Sequence, residues 1–141
     1  MTTATYDRTT EASANTFQNL AELGGRVLLA GLFLLSGAGK LGAYTATAGY
    51  MASLGVPGAL LPLVIATELL GAAAIIVGWK TRIVAFLLAG FTLLSAIFFH
   101  SNFANQVEMI MFLKNVSIAG GFLLLVAHAA GPFSLDRRAA K

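Results

Sequence analysis

The chain has 141 residues, 57% hydrophobic and 11% charged, with a formal net charge of +3. A soluble domain is nearer about 45–50% apolar and about 25% charged, so the surplus apolar surface faces lipid. Without cysteine there are no disulfides, thiolate catalysis, iron–sulfur ligation or cysteine zinc sites, and no Lys/Arg-rich stripe marks a nucleic-acid face.

Residues 1–19, rich in Thr, Ala and Ser and lacking apolar periodicity, read as a flexible N-terminal tail. They are not a secretory signal peptide, because the apolar run that follows is long and its flank weakly charged. Residues 20–132 then read as one transmembrane domain. A bilayer core of about 30 Å needs roughly 20 apolar residues per helix. The first span is placed at about 21–41, where Gly24, Gly31 and Ala38 recur every seven residues, a pattern of close helix packing. It contains Arg26 and ends in "SGAGKL", with Lys40.

Segment 42–58 is long for a connection. Tyr50, Met51 and Leu54 share one face of a short helix, with Tyr44 close by, which predicts an interfacial helix acting as a lid. Pro57 and Gly58 make a turn into the second span, about 59–79, and Pro62 is tolerated in its first turn. Glu68 falls roughly 14 Å deep in that span. Trp79 is an interfacial anchor, and the short "WKTR" turn makes a tight hairpin with the third span, about 82–101, which closes on His100. "NFANQ" leads to the fourth span, about 107–129, in which Lys114 is roughly 10 Å deep and Asn115 follows it. Gly131 and Pro132 stop that helix, and 133–141 is a basic C-terminal tail. The expected fold is an all-α membrane protein, a bundle of four transmembrane helices.

Loop charge sets the expected orientation. With both termini cytoplasmic, Arg8, Arg26, Lys80, Arg82, Arg137, Arg138 and Lys141 lie inside, and only Lys40 and Lys114 fall in the outer half. Lys40, Glu68, His100 and Lys114, with Asn115, then share the outer half from four helices. Small residues at helical spacing accompany each of them, as Ser36 does Lys40 and Ser117 does Lys114, which predicts that they point into the bundle. An ionised group facing lipid costs several kcal/mol, so Glu68 is expected to pair with Lys114 or Lys40. The plainer readings are snorkelling for Lys114 and purely structural roles for the others.

His100 and His128 lie at opposite ends of their spans, which argues against a bis-histidine haem, no Gly-rich phosphate loop follows a strand, and two histidines with one buried Glu make a poor metal-ligand set. The stretches "SGAGKL", "YMASLGVP", Glu68 with Gly71, "FFHSNF", "FLKN" and "SLDR", spread over residues 20–137, resemble the DoxX family of bacterial inner-membrane proteins. That resemblance implies a four-helix inner-membrane protein, in a family named from a small subunit of a thiosulfate:quinone oxidoreductase. It marks Lys40, Glu68, His100, Lys114 and Asn115.

With no self-contained catalytic or cofactor motif, the chain reads at most as an oxidoreductase component. The first hypothesis is a redox-associated membrane subunit whose polar pocket takes a quinone head group or a small anion. Its partners are the bilayer, redox partner subunits and further copies of itself, and nucleic acid is not among them. The second is a non-enzymatic scaffold that docks other proteins. A solute or proton path ranks last, because the inner half is almost wholly Leu, Val, Ile and Ala.

Overall fold

The computed structural model describes residues 3–139, with side chains from Asn15 onward. Helix α1 spans Thr3–Gly42, α2 Tyr44–Ser53, α3 Leu61–Val77, α4 Thr81–Phe99, α5 Gln106–His128 and α6 Leu135–Ala139. A single 3-10 turn, Gly58–Leu60, leads into α3. Four stretches are long and apolar enough to cross a membrane: Asn15–Gly42, Gly58–Val77, Thr81–Phe99 and Gln106–His128. They match the four expected spans to within a few residues, except at the start of the first.

There the first helix reaches into the segment expected as a tail over 1–19. Met1 and Thr2 lie outside the described residues, and from Thr3 onward the backbone is already helix. No glycine or proline occurs between Thr3 and Leu23, so nothing stops a helix before the apolar run. At 1.5 Å per residue the 40-residue α1 is about 60 Å long, roughly twice the bilayer core.

Helix α1 lies along α3 and α5 along α4, whereas α3 meets α4 less fully and α1 barely touches α5. The core joining these two pairs contains Ala30, Ala72, Ala85, Ala89 and Ala119, which let the backbones approach, with Phe33, Ile75, Leu88 and Phe122 filling the space. Phe33 sits edge-on to Phe122 at 5.4 Å and tilted to Phe91 at 6.5 Å between ring centres.

Two local devices set the ends of the bundle. At one end, Met51 of α2 is buried with Leu61 and Ile65 of α3 and packs near Phe99 of α4. Gly58 lets the chain pass under α2, because a Cβ there would lie 2.9 Å from the Ala48 carbonyl oxygen. At the other end, α3 stops at Gly78 in the left-handed region (φ 69°), and α4 begins at Thr81. The expected "WKTR" turn is thus Gly78–Trp79–Lys80, with Arg82 already helical. Trp79 is half exposed, with the Lys80 ammonium 5.3 Å from its ring centre.

The C-terminal segment is docked beneath this turn. The Asp136 carboxylate accepts hydrogen bonds from the backbone N–H of Lys80 (2.7 Å) and Thr81 (2.9 Å), capping α4, and the Asp136 N–H donates to the Gly78 carbonyl. Ala140 and Lys141 lie outside the described residues.

Candidate functional site

A cavity of about 520 Å³ opens between the two helix pairs at the α2 end. Its depth is floored by Phe33 and Phe91, the faces of the aromatic core. Leu32, Leu63, Leu94 and Phe98 line its sides and are themselves exposed on the lipid-facing surface.

Its polar centre is built from α1 and α3. Ser36 and Lys40 are four residues apart and stack on one face of α1. The Lys40 ammonium donates to Ser36 Oγ at 2.6 Å, to Glu68 Oε1 at 2.8 Å and to Glu68 Oε2 at 2.9 Å. Ser36 Oγ in turn donates to Glu68 Oε1 at 3.1 Å. The side chain of Glu68 is 6% exposed and that of Lys40 24%, so the pair is largely withdrawn from solvent. Gly37 permits this approach, since a Cβ there would press on Leu69 and on Glu68 Cβ.

Of the two lysines that sequence leaves open, Lys40 therefore holds Glu68. Lys114 lines the cavity but is exposed, and its hydrogen bond goes to Met111 Sδ at 3.3 Å. Helical geometry sets Lys114 at the edge of the buried face of α5. The buried face of α5 is set by Ala119 and Phe122. At about 100° per residue, Lys114 lies about 140° from the first and about 80° from the second. Asn115 also lines the cavity.

His100 caps the end of α4 at the cavity mouth and shares a 2.7 Å hydrogen bond through Nδ1 with Glu108 Oε2 of α5. Glu108 was not singled out in the sequence. Its signal is the start of α5: Asn105 accepts from the Val107 and Glu108 N–H groups, which places Glu108 in the first turn, where an acidic side chain is favoured. Of the proposed lid residues, Tyr50 and Met51 line the cavity and Tyr44 does not. Tyr50 stacks on Phe99 at 6.0 Å, fastening α2 to α4.

A second polar cluster occupies the α6 end. Arg26 is fully buried and donates from Nη1 to the Ile75 and Ile76 carbonyls (3.2 and 3.1 Å) and from Nη2 to the Phe133 carbonyl. It satisfies the open C-terminus of α3 and ties the C-terminal segment to α1. Gly78 is required here, because a Cβ would overlap Ser134 and the Arg26 guanidinium. Burial pushes the Asp136 carboxyl up, but hydrogen bonds from Thr81 and Lys80, with the charge of Arg26, hold it below its ordinary value.

The profile of the family described as DoxX matches residues 21–101. Inner membrane protein YqjF of Escherichia coli (strain K12) is 48% identical over 120 residues, covering 85% of this chain and 92% of that protein. Inner membrane protein YphA of the same organism is 40% identical over 120 residues, covering 80% and 86% respectively. No solved structure matches.

Proposed function

The chain belongs to the DoxX family and is a multi-pass inner-membrane protein; on that premise we propose that its cavity holds the ring of a quinone-type amphiphile, the chain serving as the membrane subunit of a redox assembly. The observation that carries this is the Ser36–Lys40–Glu68 group, set at the polar centre of a cavity otherwise walled by Phe and Leu side chains. Volumes of about 300–1,000 Å³, mostly apolar with a few convergent polar groups, are typical of small-molecule sites.

Between the two ligands expected from the sequence, the pairing favours a neutral ring over a small anion. The charge of Lys40 is already matched by Glu68 at hydrogen-bond distance, and the other lysine on the cavity wall is exposed at its rim. An apolar ring reaches such a site through lipid, past Leu32, Leu63, Leu94 and Phe98. Reduction of a quinone takes two electrons and two protons. A redox partner subunit supplies the electrons, and this chain binds, orients and shields the ring. The α2 end faces the periplasm and both termini the cytoplasm, on the support of seven basic residues at one end against Lys40 and Lys114 at the other.

The test is gentle-detergent purification of the full chain, organic extraction and mass spectrometry of the extract. A quinone recovered at near-stoichiometric amount, and lost in Glu68→Ala protein that elutes normally, is the expected result. Protein that carries no quinone and shows no saturable binding of added duroquinone or duroquinol rejects the proposal.

A further inference from the structure

The hydrogen atoms around this cavity are already assigned, and their assignment is lopsided. A hydroxyl has one proton to donate and an ammonium three. Lys40 spends three, on Ser36 Oγ, Glu68 Oε1 and Glu68 Oε2. Ser36 spends its one on Glu68 Oε1. Thr92 Oγ1 donates to the Leu88 carbonyl at 2.7 Å, Thr67 Oγ1 to the Leu63 carbonyl at 2.8 Å and Thr47 Oγ1 to the Ala43 carbonyl at 2.9 Å. All five side chains line the cavity.

The acceptor side is not used up. Two carboxylate oxygens accept about four hydrogen bonds, and Glu68 receives three, two at Oε1 and one at Oε2. The vacancy is on Oε2, and it is the strong, charge-assisted kind. Each threonine oxygen also keeps lone pairs. Free donors remain on Ser95, a turn nearer the mouth than Thr92, on the Tyr50 phenol of α2, and on Asn115 and Lys114 at the α5 rim, all away from the Glu68 carboxylate. The group at the centre of the cavity is an acceptor site whose donors are committed elsewhere.

A quinone and its quinol differ in this one respect. The oxidised ring offers two carbonyl acceptors, and the reduced ring offers two hydroxyl donors. Given a quinone-type ring in the cavity, on which this inference rests, we infer that the site selects the reduced, hydroxyl-bearing form, with Glu68 Oε2 accepting a ring O–H. A carbonyl placed there faces the carboxylate with no proton between them. A hydroxyl there gains a hydrogen bond to a charged group, corresponding to roughly 10- to 100-fold in affinity.

The preference has a redox consequence. Each tenfold tighter binding of the reduced form raises the midpoint potential of the bound two-electron couple by about 30 mV. The site therefore draws electrons onto the ring.

The test is anaerobic isothermal titration of the full chain in detergent with three ligands: duroquinone, duroquinol, and duroquinol dimethyl ether, which keeps the ring and loses both hydroxyl protons. Duroquinol binding at least tenfold tighter than the other two supports the inference. Duroquinone or the ether binding as tightly as duroquinol overturns it while leaving the quinone-type site standing. Binding of none of the three overturns the site itself, and the inference with it. In Glu68→Gln protein that keeps its fold, the preference for duroquinol falls to within about threefold. A folded Glu68→Gln protein with the full preference rejects Glu68 as the acceptor. If that variant does not fold, the comparison of duroquinol with its ether on the unaltered protein decides the question alone.

Discussion

At Lys40 and Glu68 the two charges are stable only together. Replacing Lys40 by Met leaves a carboxylate with 6% side-chain exposure and no cation, the costly state for a buried pair, at about 3 kcal/mol. Replacing both, as Lys40→Met with Glu68→Leu, removes the uncompensated charge and recovers most of that loss. Thermal unfolding in detergent checks this, and a double variant as unstable as the sum of its singles would sink it. The charged residues were legible in sequence by depth, because helix rise converts residue number into height. Their partners were not, because height says nothing of azimuth. Lys40 and Lys114 both fall in the outer half, and only the packing of α1 on α3 and of α5 on α4 turns one toward Glu68 and leaves the other at the rim. Glu108 escaped notice for a related reason: it belongs to the first turn of a helix, where an acidic residue reads as ordinary dipole compensation.

At the scale of the element, the C-terminal segment gains most in meaning. It read as a short basic tail, yet its Asp136 is the N-terminal cap of α4, 55 residues away in sequence. Composition cannot show such a contact, since a cap supplied from a distant segment leaves no local motif at either site. The four spans, by contrast, were legible because length and hydropathy define them directly. The short helix α2 was legible because Tyr50, Met51 and Leu54 fall on one face. The sign of the pH dependence follows from Asp136. Its folded value lies below the ordinary one, so the cap contributes fully above the unfolded value, about 3.9, and is lost as pH falls through the lowered folded value. Amide exchange at Lys80 and Thr81, corrected for intrinsic rates, is expected to be flat from about pH 7 to about pH 5 and to accelerate only below about pH 4. Asp136→Ala is expected to lose about 1 kcal/mol of local stability and to abolish that dependence. Acceleration already present near pH 6, or retained in the variant, would show that another group holds the turn.

At the scale of the molecule, the two polar clusters belong to separate compartments. Arg26 and Lys40 are fourteen residues apart on α1, about 21 Å along the axis. Between them the interior is Phe33, Phe91, Phe122, Leu88 and the alanines that bring the helices together. Thr92 is the polar side chain of α4 in that interval, and its proton is tied to the Leu88 carbonyl. A proton or hydrated solute needs polar groups or water at hydrogen-bond spacing, and an aromatic plug packed on alanines has room for neither. The cavity is therefore blind at the α6 end and open at the α2 end and sideways to lipid, which suits a ligand that arrives through the bilayer rather than one that crosses it. Proteoliposomes holding the chain and a trapped pH-sensitive dye are accordingly expected to lose an imposed proton gradient no faster than protein-free liposomes. Phe33→Ala is expected to change binding in the cavity without raising that rate, because Phe91 and Phe122 still block the axis. Proton flux well above the protein-free rate in the unaltered chain would overturn the blind cavity and with it the binding role, and favour the solute or proton path that the sequence ranks last.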